Sequence, residues 1–422
     1  MSRNPPGQSR EVNLLCIEST KYSPSFEVSM RIPRALLVAE IVVLGMFAPI
    51  SIDLYLPALG EMVEFFGTTE SVLNMTIYMF MFSMALGVLL LGPVSDKYGR
   101  RNVLVPSLVL YASMSLCCSF ATSVESLILF RVLQAFGAGG GLATSFALVR
   151  DCFQGSERSR ILAINSAIGV LGPVVSPSVG TVIIEAIDWQ ATFWIPALVA
   201  LACLVIGLLI PGDIPSERYS GSIIGSVRSL LPILGNLDFT RLTLMMTTLS
   251  LPVLGYVAVS SYIYQDGFGV SRTEYSLYLA VVMIIGVMGM MVLRKVRDRV
   301  GNRGILVIFM SLLALTCLLL VTVSGNGPLF FMLAMAPVVI VSSSVRAIGF
   351  DILMSQDVGK SGAVSSILNF TTYMFGTLGM VIASMPWDDY IHGVALCAFG
   401  VLVLYVVLWS TIRIRGTRLT GF

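Results

Sequence analysis

The sequence has little charge for its length and almost no histidine. Only 12% of its 422 residues are Asp, Glu, Lys or Arg, and there is one His, whereas 56% are hydrophobic and the mean hydropathy is +0.88. Soluble domains carry about 25% charged residues, so this composition excludes an ordinary water-soluble protein. The net charge of +2, with no basic stripe, also gives no reason to expect a nucleic-acid partner.

Motifs for metal binding and catalysis are absent as well. The seven cysteines form no CxxC or Cys/His ligand spacing, and no HExxH, GxSxG or Walker motif occurs. We therefore expect no metal, no cofactor and no enzymatic activity. Residues 1–30 are polar and lack the apolar core of a signal peptide, so we predict a disordered cytoplasmic N-terminal extension there.

The apolar residues occur in runs of roughly 20, the length that crosses a hydrocarbon core of ~30 Å. Twelve such runs predict transmembrane helices at 35–58, 71–94, 103–122, 126–149, 160–184, 191–210, 240–264, 275–293, 304–323, 328–350, 361–384 and 391–412. The long polar gap at 211–239 predicts a cytoplasmic linker between a first bundle, 31–210, and a second bundle, 240–412. Residues 413–422 then form a cytoplasmic tail.

Lys and Arg are concentrated in the loops at one end of these helices, before the first run and after the even-numbered runs. Only Arg272 lies in a loop at the other end, among acidic residues that include Glu61, Glu64 and Glu70. Because basic loops stay in the cytoplasm, both termini are predicted to be cytoplasmic. The chain is thus expected to be a multi-pass protein of a bacterial inner membrane, embedded in the lipid bilayer.

Two short strings show that the chain contains an internal repeat. Asp-Lys-Tyr-Gly-Arg-Arg begins at Asp96 after the second run, and Asp-Arg-Val-Gly-Asn-Arg begins at Asp298 after the eighth. They lie 202 residues apart and at the same place in each half. Two parallel six-helix repeats are an arrangement in which one half rocks against the other to give alternating access.

These motifs resemble a known family. The spacing of Gly92, Asp96, Gly99, Arg100 and Arg101 resembles the loop signature of the major facilitator superfamily. Three further segments resemble the Bcr/CflA group of drug:proton antiporters within that superfamily. This group includes bicyclomycin and chloramphenicol exporters. The three segments are Ser51–Leu59 in the first run, Arg131-Val-Leu-Gln134 in the fourth, and Val149-Arg150-Asp151 at the cytoplasmic end of the fourth. In the fifth run, Gly172 and Pro173 resemble the antiporter signature, with close helix packing as the alternative. Ala135 departs from the pattern, because many members carry glycine there.

The resemblance implies an all-α integral membrane fold of twelve helices in two six-helix bundles. It also implies a monomeric, proton-coupled antiporter that exports small, largely apolar organic compounds. Three other transport functions stay open: export of an endogenous metabolite, export of a siderophore, and import of a nutrient. A membrane-embedded enzyme and a non-transporting sensor are the alternatives outside transport.

Three charged residues inside the runs are candidates for proton coupling. A charge at the bilayer centre costs ~2.5–3.5 kcal/mol on insertion scales, so each needs a cavity or a partner. The resemblance implies that protonation of Asp53 competes with substrate, whereas the alternative is a capping role near the outer mouth. Arg131 either modulates the proton affinity near Asp53 or joins helices. Glu40 either snorkels to the cytoplasmic interface, near Arg34, or is a second protonation site.

Gating and substrate binding are assigned to two further sets of residues. The gating candidates, expected to latch the halves together on the cytoplasmic side, are Gly92, Asp96, Gly99, Arg100, Arg101 and Asp298. Polar and aromatic side chains that could line an adaptable substrate cavity are Asn74, Tyr78, Gln134, Tyr256 and Asn369. For each substrate candidate, ordinary helix packing is the alternative.

Overall fold

The described part of the chain is helical. The computed structural model describes residues 33–211, 225, 231–354, 356 and 361–415, and no strand occurs among them. The predicted N-terminal extension, most of the predicted linker and the end of the tail lie outside the described residues. The first half contains α1 (Arg34–Gly45), α2 (Phe47–Asp53), α3 (Leu59–Phe66), α4 (Glu70–Leu73), α5 (Met75–Tyr98), α6 (Arg100–Ser119), α7 (Val124–Cys152), α8 (Gly155–Ala186) and α9 (Ala191–Leu209). The second half contains α10 (Leu231–Leu234), α11 (Leu237–Thr247), α12 (Ser250–Ser261), α13 (Arg272–Thr322), α14 (Pro328–Ser344), α15 (Phe350–Met354), α16 (Ser361–Ala383) and α17 (Tyr390–Arg415).

Each predicted apolar run coincides with helix, although several helices are interrupted. Within the described residues, seven helical stretches are long and apolar enough to span a membrane by themselves, and the bent first stretch makes an eighth. The other predicted spans are shorter, are interrupted, or share a long helix. An all-helical membrane fold is therefore confirmed, whereas the count of twelve and the cytoplasmic position of the termini stay predictions.

The two copies of the repeated string turn in the same way. Gly99, between α5 and α6, has φ 101°, and Gly301, inside α13, has φ 69°. Side-chain-bearing residues rarely adopt such angles, so glycine is required at both turns. The kink at Gly301 separates the two predicted runs 275–293 and 304–323, which otherwise form one continuous helix.

The first predicted run, 35–58, is not a single helix. The helix breaks at Met46, resumes over Phe47–Asp53, and passes through a turn into a 3-10 segment, Leu56–Ala58. The stretches before and after Met46 are bent by 41°. Pro57 has no N–H to donate, which favours interruption of the hydrogen-bond ladder at this place. The break sets the position of Asp53.

Glycines bring the helices of the first half close together. A Cβ on Gly139 of α7 would lie 2.8 Å from the Cα of Gly87 in α5, and one on Gly172 of α8 would lie 2.7 Å from the ring of Pro49. Small residues allow this approach. The outward faces of the bundle are apolar instead of polar, as shown by Val205 (63% exposed) and Val321 (81% exposed). Such a surface fits a lipid surrounding.

Candidate functional site

Asp53 is placed between the two halves by the helix break. It ends α2, is only 5% exposed, and forms no ion pair with any described residue. Ser51, two residues earlier, shares a hydrogen bond of 2.6 Å with the Tyr111 hydroxyl inside the first half. Residues two apart on a helix point in nearly opposite directions. Asp53 therefore faces the second half, where Tyr275 lies within electrostatic range of its carboxyl group.

Arg131 lies in a box of aromatic rings and is 0% exposed. Its guanidinium carbon is 4.2 Å from the ring centroid of Phe80, 4.9 Å from that of Tyr55 and 5.7 Å from that of Phe193. Its Nη1 donates to Gln134 Oε1 at 2.9 Å, and its Nε donates to the Thr76 carbonyl at 3.4 Å. Cation–π contacts of this kind gain strength when they are desolvated.

No carboxylate pairs with Arg131 in the described part of the chain. The structure does not join it to Asp53; instead it reaches the hydroxyl of Tyr55, two residues further along the broken helix, at 3.5 Å. Tyr55 in turn shares a hydrogen bond of 2.9 Å with Thr76. Arg131 therefore contacts the segment that carries Asp53 through Tyr55 and not through the carboxyl group itself.

Glu40 is buried completely and does not reach the interface by snorkelling. It is 0% exposed, and neither carboxylate oxygen is well placed for a hydrogen bond to a described residue. The thiol of Cys203 in α9 lies beside the carboxyl group of Glu40. Glu40 therefore lies inside the first half, away from the contact between the halves.

The arginine-rich loops of the first half form a compact ion cluster. Asp96 contacts Arg100 at 2.5 Å and Arg150 at 2.7 Å, while Arg100 contacts Asp151 at 2.6 Å. Arg100 is only 1% exposed, and Ser95 accepts a further hydrogen bond from it at 3.1 Å. The cluster joins α5, α6 and α7. It does not reach the second half among the described residues, so the expected latch between the halves is not formed in this conformation.

The second copy of the motif keeps an ion pair but uses a different arginine. Asn302 occupies the place of Arg100, and Arg297 from the preceding turn donates to Asn302 Oδ1 at 2.9 Å and contacts Asp351 at 2.6 Å. The side chain of Arg346, five residues before Asp351, lies outside the described residues. Asp298 is exposed.

The remaining gating and antiporter-motif candidates have simpler surroundings. A Cβ on Gly92 would be 4.0 Å from that of Ala143, which is ordinary contact, so close helix approach does not require glycine there. Arg101 is partly exposed at the start of α6. Pro173 is partly buried beside Gly172 in α8.

The five substrate-binding candidates fall into two groups. Asn74, Gln134 and Tyr256 are each 0% exposed. Gln134 bonds to Arg131 and to Ser115, and Tyr256 packs against Phe331 with a ring-centroid distance of 5.6 Å. Tyr78 and Asn369 are partly exposed. Only this pair is accessible in the present conformation.

We call the side of the protein that carries Glu61, Glu64 and Glu70 the acidic end, and the arginine-rich side the basic end. In the described part of the chain, side-chain hydrogen bonds between the halves are found only at the acidic end. Asn74 Nδ2 donates to Ser384 Oγ at 3.0 Å, and the Tyr262 hydroxyl donates to Asn74 Oδ1 at 3.4 Å. Further bonds across the halves join the pairs Ser71–Ser384, Gln265–Pro57, Thr181–Ser276, Ser276–Pro177, Arg272–Glu61 and Thr273–Glu185. The acidic end is thus closed. Sequence inspection did not predict these contacts between the halves, and the lone basic residue Arg272 was the one available signal.

The arrangement of two halves around a buried carboxyl, with matched glycine turns, is a transporter architecture. The family model described as Major Facilitator Superfamily matches residues 41–411, most of the chain. The chain belongs to the Major Facilitator Superfamily. It is accordingly a multi-pass membrane transporter and not an enzyme.

Relatives within the superfamily are distant but cover most of the chain. "Uncharacterized MFS-type transporter YdgK" of Bacillus subtilis is 26% identical over 82% of this chain and 87% of its own length. "Multidrug resistance protein MdtL" of Escherichia coli O157:H7 is 26% identical over 84% and 91%. MdtL of Shewanella sp. strain ANA-3 is 27% identical over 76% and 81%.

Solved structures of other transporters share the fold. A bacterial homologue of the human lysosomal transporter Spinster, in an inward-facing and unoccupied conformation, has a TM-score of 0.70 at 14% identity over 89% of this chain and 95% of its own. A D-xylose-proton symporter has a TM-score of 0.68 at 13% identity over 89% and 97%. At such identities the likeness establishes the superfamily fold alone.

Proposed function

We propose that this protein is a proton-coupled antiporter of the Bcr/CflA type that exports small, largely apolar organic compounds from a bacterial cell by alternating access. The relatives named as multidrug resistance proteins support drug efflux as the process. By the positive-inside rule, the basic end faces the cytoplasm, and the closed acidic end faces outward. The structure then corresponds to the state that receives substrate from inside.

The observation that carries proton coupling is the placement of Asp53. A carboxylate in a buried site without a cation is costly, and taking up a proton removes the charge. Asp53 has no ion-pair partner among the described residues, faces the second half, and lies at a backbone break. Interrupted helices form the substrate and ion sites of many transporters. A carboxyl there is suited to bind a proton in one conformation and release it in the other.

Arg131 has a supporting role in this proposal. Its aromatic box leaves the guanidinium 0% exposed, so it offers no contact surface to an anionic nutrient in this conformation. This argues against an importer of anions. Arg131 instead holds Tyr55 and thereby the turn that follows Asp53.

Flux through proteoliposomes tests the proposal. With an imposed pH gradient, the unaltered protein should concentrate a chloramphenicol- or bicyclomycin-like compound, and addition of substrate should move protons. Asp53→Asn should still allow exchange down the substrate gradient but should no longer accumulate substrate. Asp238→Asn, which alters an acid paired within one helix turn to Arg241, is the matched control. Accumulation by Asp53→Asn equal to that of the unaltered protein would exclude Asp53 as the proton carrier.

A further inference from the structure

The one basic residue at the acidic end requires an explanation. Of 26 Lys and Arg residues, Arg272 alone lies in a loop on that side. Membrane proteins strongly bias such residues toward the cytoplasm. An arginine in the opposite loop is therefore expected to have a specific partner.

That partner is in the other half of the protein. Arg272 Nη2 lies 2.6 Å from Glu61 Oε2, and the two side chains are 31% and 40% exposed. Arg272 begins α13, and Glu61 lies in α3, so the ion pair joins helices from the two halves. Rocking of one half against the other must break it.

The surroundings of the pair are acidic on both sides of the contact. A Cβ on Gly60 would lie 3.7 Å from Asp266 Oδ1, which places this second-half carboxylate directly beside the helix that carries Glu61. Asp266 is also within electrostatic range of Glu64 and Glu70. Acids of the two halves therefore meet at this contact, and the Arg272–Glu61 pair supplies an attraction between the halves there. Without this pair, Glu61 would add a further unpaired acid to a contact where like charges already face each other.

A second layer of contacts lies beneath this ion pair. Asn74, Ser384 and Tyr262 are each 3% exposed or less, and the Asn74 amide bonds to both other side chains across the halves. When the acidic end opens, the hydrogen bonds among these buried groups must be replaced by hydrogen bonds to water. Such bonds are directional, so they also fix the register in which the halves close.

We propose that the Arg272–Glu61 pair and the buried Asn74–Ser384–Tyr262 cluster together form the gate that closes the acidic end. This gate belongs to the conformational cycle of the transporter. It acts whatever the substrate is and whether or not protons are coupled, so it goes beyond the function proposed above. Arg272 is a positioning residue in this role and does not contact substrate.

The gate predicts an asymmetry between its two charged members. Arg272→Gln leaves Glu61 unpaired at a contact that Asp266, Glu64 and Glu70 already make acidic, whereas Glu61→Gln removes an acid from that contact. Opening should therefore be favoured more by Arg272→Gln than by Glu61→Gln. Exposed ion pairs typically shift an equilibrium roughly two- to fivefold, which sets the expected scale. The double variant Glu61→Arg with Arg272→Glu should restore closure.

Alkylation of a buried reporter cysteine measures the opening. Ala58→Cys places the reporter at a position that is 0% exposed, beside the Gln265–Pro57 contact. Native Cys118, also 0% exposed but inside the first half, is kept as an internal reference, and the other six native cysteines are replaced. Purified protein without substrate or pH gradient is treated with a polar maleimide, and each site is quantified by mass spectrometry.

We expect Arg272→Gln and Asn74→Leu each to raise the rate at residue 58 about two- to fivefold while the rate at Cys118 stays constant. The charge-swapped double variant should return to the unaltered rate, and Asp238→Asn should have no effect. An unchanged rate at residue 58 in Arg272→Gln, or a parallel rise at Cys118, would overturn the gate. Since the assay uses neither a substrate nor a pH gradient, failure of the antiport proposal would leave its outcome unaffected.

Discussion

Gly180 in α8 lies directly against the main-chain carbonyl oxygen of Leu54, so closely that a Cβ on residue 180 would overlap that oxygen. Leu54 follows Asp53 at the break between α2 and the 3-10 segment. Helix α8 can lie this close to the carbonyl oxygen of Leu54 because residue 180 has no side chain. Because Gly180 packs against the residue that follows Asp53, α8 helps to hold Asp53 in position.

Replacement of this glycine should impair transport. Gly180→Ala must push the break away from α8, and a displacement of about 1 Å at a functional group can cost ~10²-fold in rate. We expect transport to fall roughly tenfold or more in proteoliposomes, with protein still recovered in the membrane fraction. Gly207→Ala is the control, because its Cβ would lie 3.4 Å from Leu108. Full activity in Gly180→Ala would show that the break tolerates movement.

Arg131 should matter more for stability than for the pH dependence of transport. Its partners are three aromatic rings, Gln134 and the Thr76 carbonyl, and Asp53 is not among them. Arg131→Ala leaves a cavity and unpaired polar groups, at a cost of about 2–5 kcal/mol. We expect a clearly lower melting temperature in detergent.

Arg131→Lys is the informative companion variant. Lysine keeps the charge but loses the planar group that stacks on Phe80 and bonds to Gln134. It should restore little of the lost stability, and the pH profile of the remaining transport should match that of the unaltered protein. A shift of the profile by a full pH unit would instead place Arg131 in direct electrostatic contact with the proton site.

The ion cluster at the basic end predicts different outcomes for its two acids. Both acids pair with the buried Arg100, but Asp151 contacts it through two nitrogens and is 13% exposed, whereas Asp96 is 33% exposed. Removing a partner of a buried cation costs up to about 3–5 kcal/mol, and the cost falls as the pair becomes exposed to water. Asp151→Asn should therefore lower the melting temperature strongly.

Asp96→Asn should lower the melting temperature less than Asp151→Asn does, but it should slow transport. Asp96 connects Arg100 and Arg150 at the helix ends, and we predict that these helix ends approach the second half when the basic end closes. Substrate affinity should stay within about twofold, since the cluster lies away from Asp53. Measurements of binding, flux and melting on both variants separate the two roles. Equal loss of binding and flux in Asp96→Asn would argue against a gating role.

The sequence alone predicted the helical runs, the repeat and the family, because each rests on local composition or on spacing within a short motif. The matched turns at Gly99 and Gly301 followed from the aligned strings. The break before and after α2 did not, although Pro49 and Pro57 gave a signal for it in the first run. A hydrophobic run has the same composition whether its helix is continuous or interrupted.

Contacts between distant residues were beyond sequence inspection. Asn74 bonds to Ser384, 310 residues away, and a polar residue near a helix end gives no indication of such a partner. It was therefore predicted as a substrate ligand, whereas the structure places it in the closed contact between the halves. The aromatic box of Arg131 likewise combines rings from three separate segments, each of which is ordinary as a membrane residue.

The last prediction concerns the two carboxyls of the first transmembrane segment. Asp53 and Glu40 are both buried and both lack an ion-pair partner among the described residues, but they face different surroundings. Asp53 points toward the second half, at the contact between the halves. Glu40 packs inside the first half beside Cys203. If the halves rock as proposed, a carboxyl at the contact between them changes its exposure during the cycle, whereas one packed inside a half does not.

Glu40→Gln should therefore keep gradient-driven accumulation within about twofold of the unaltered protein, whereas Asp53→Asn should lose it. Glutamine matches the size of a neutral glutamic acid, so the packing against Cys203 should be preserved. Both variants are measured in the same proteoliposome assay, with and without an imposed pH gradient, and downhill exchange serves as the control for folding. If Glu40→Gln loses accumulation while Asp53→Asn retains it, the proton carrier is Glu40, and its release route must run through the first half and not between the halves.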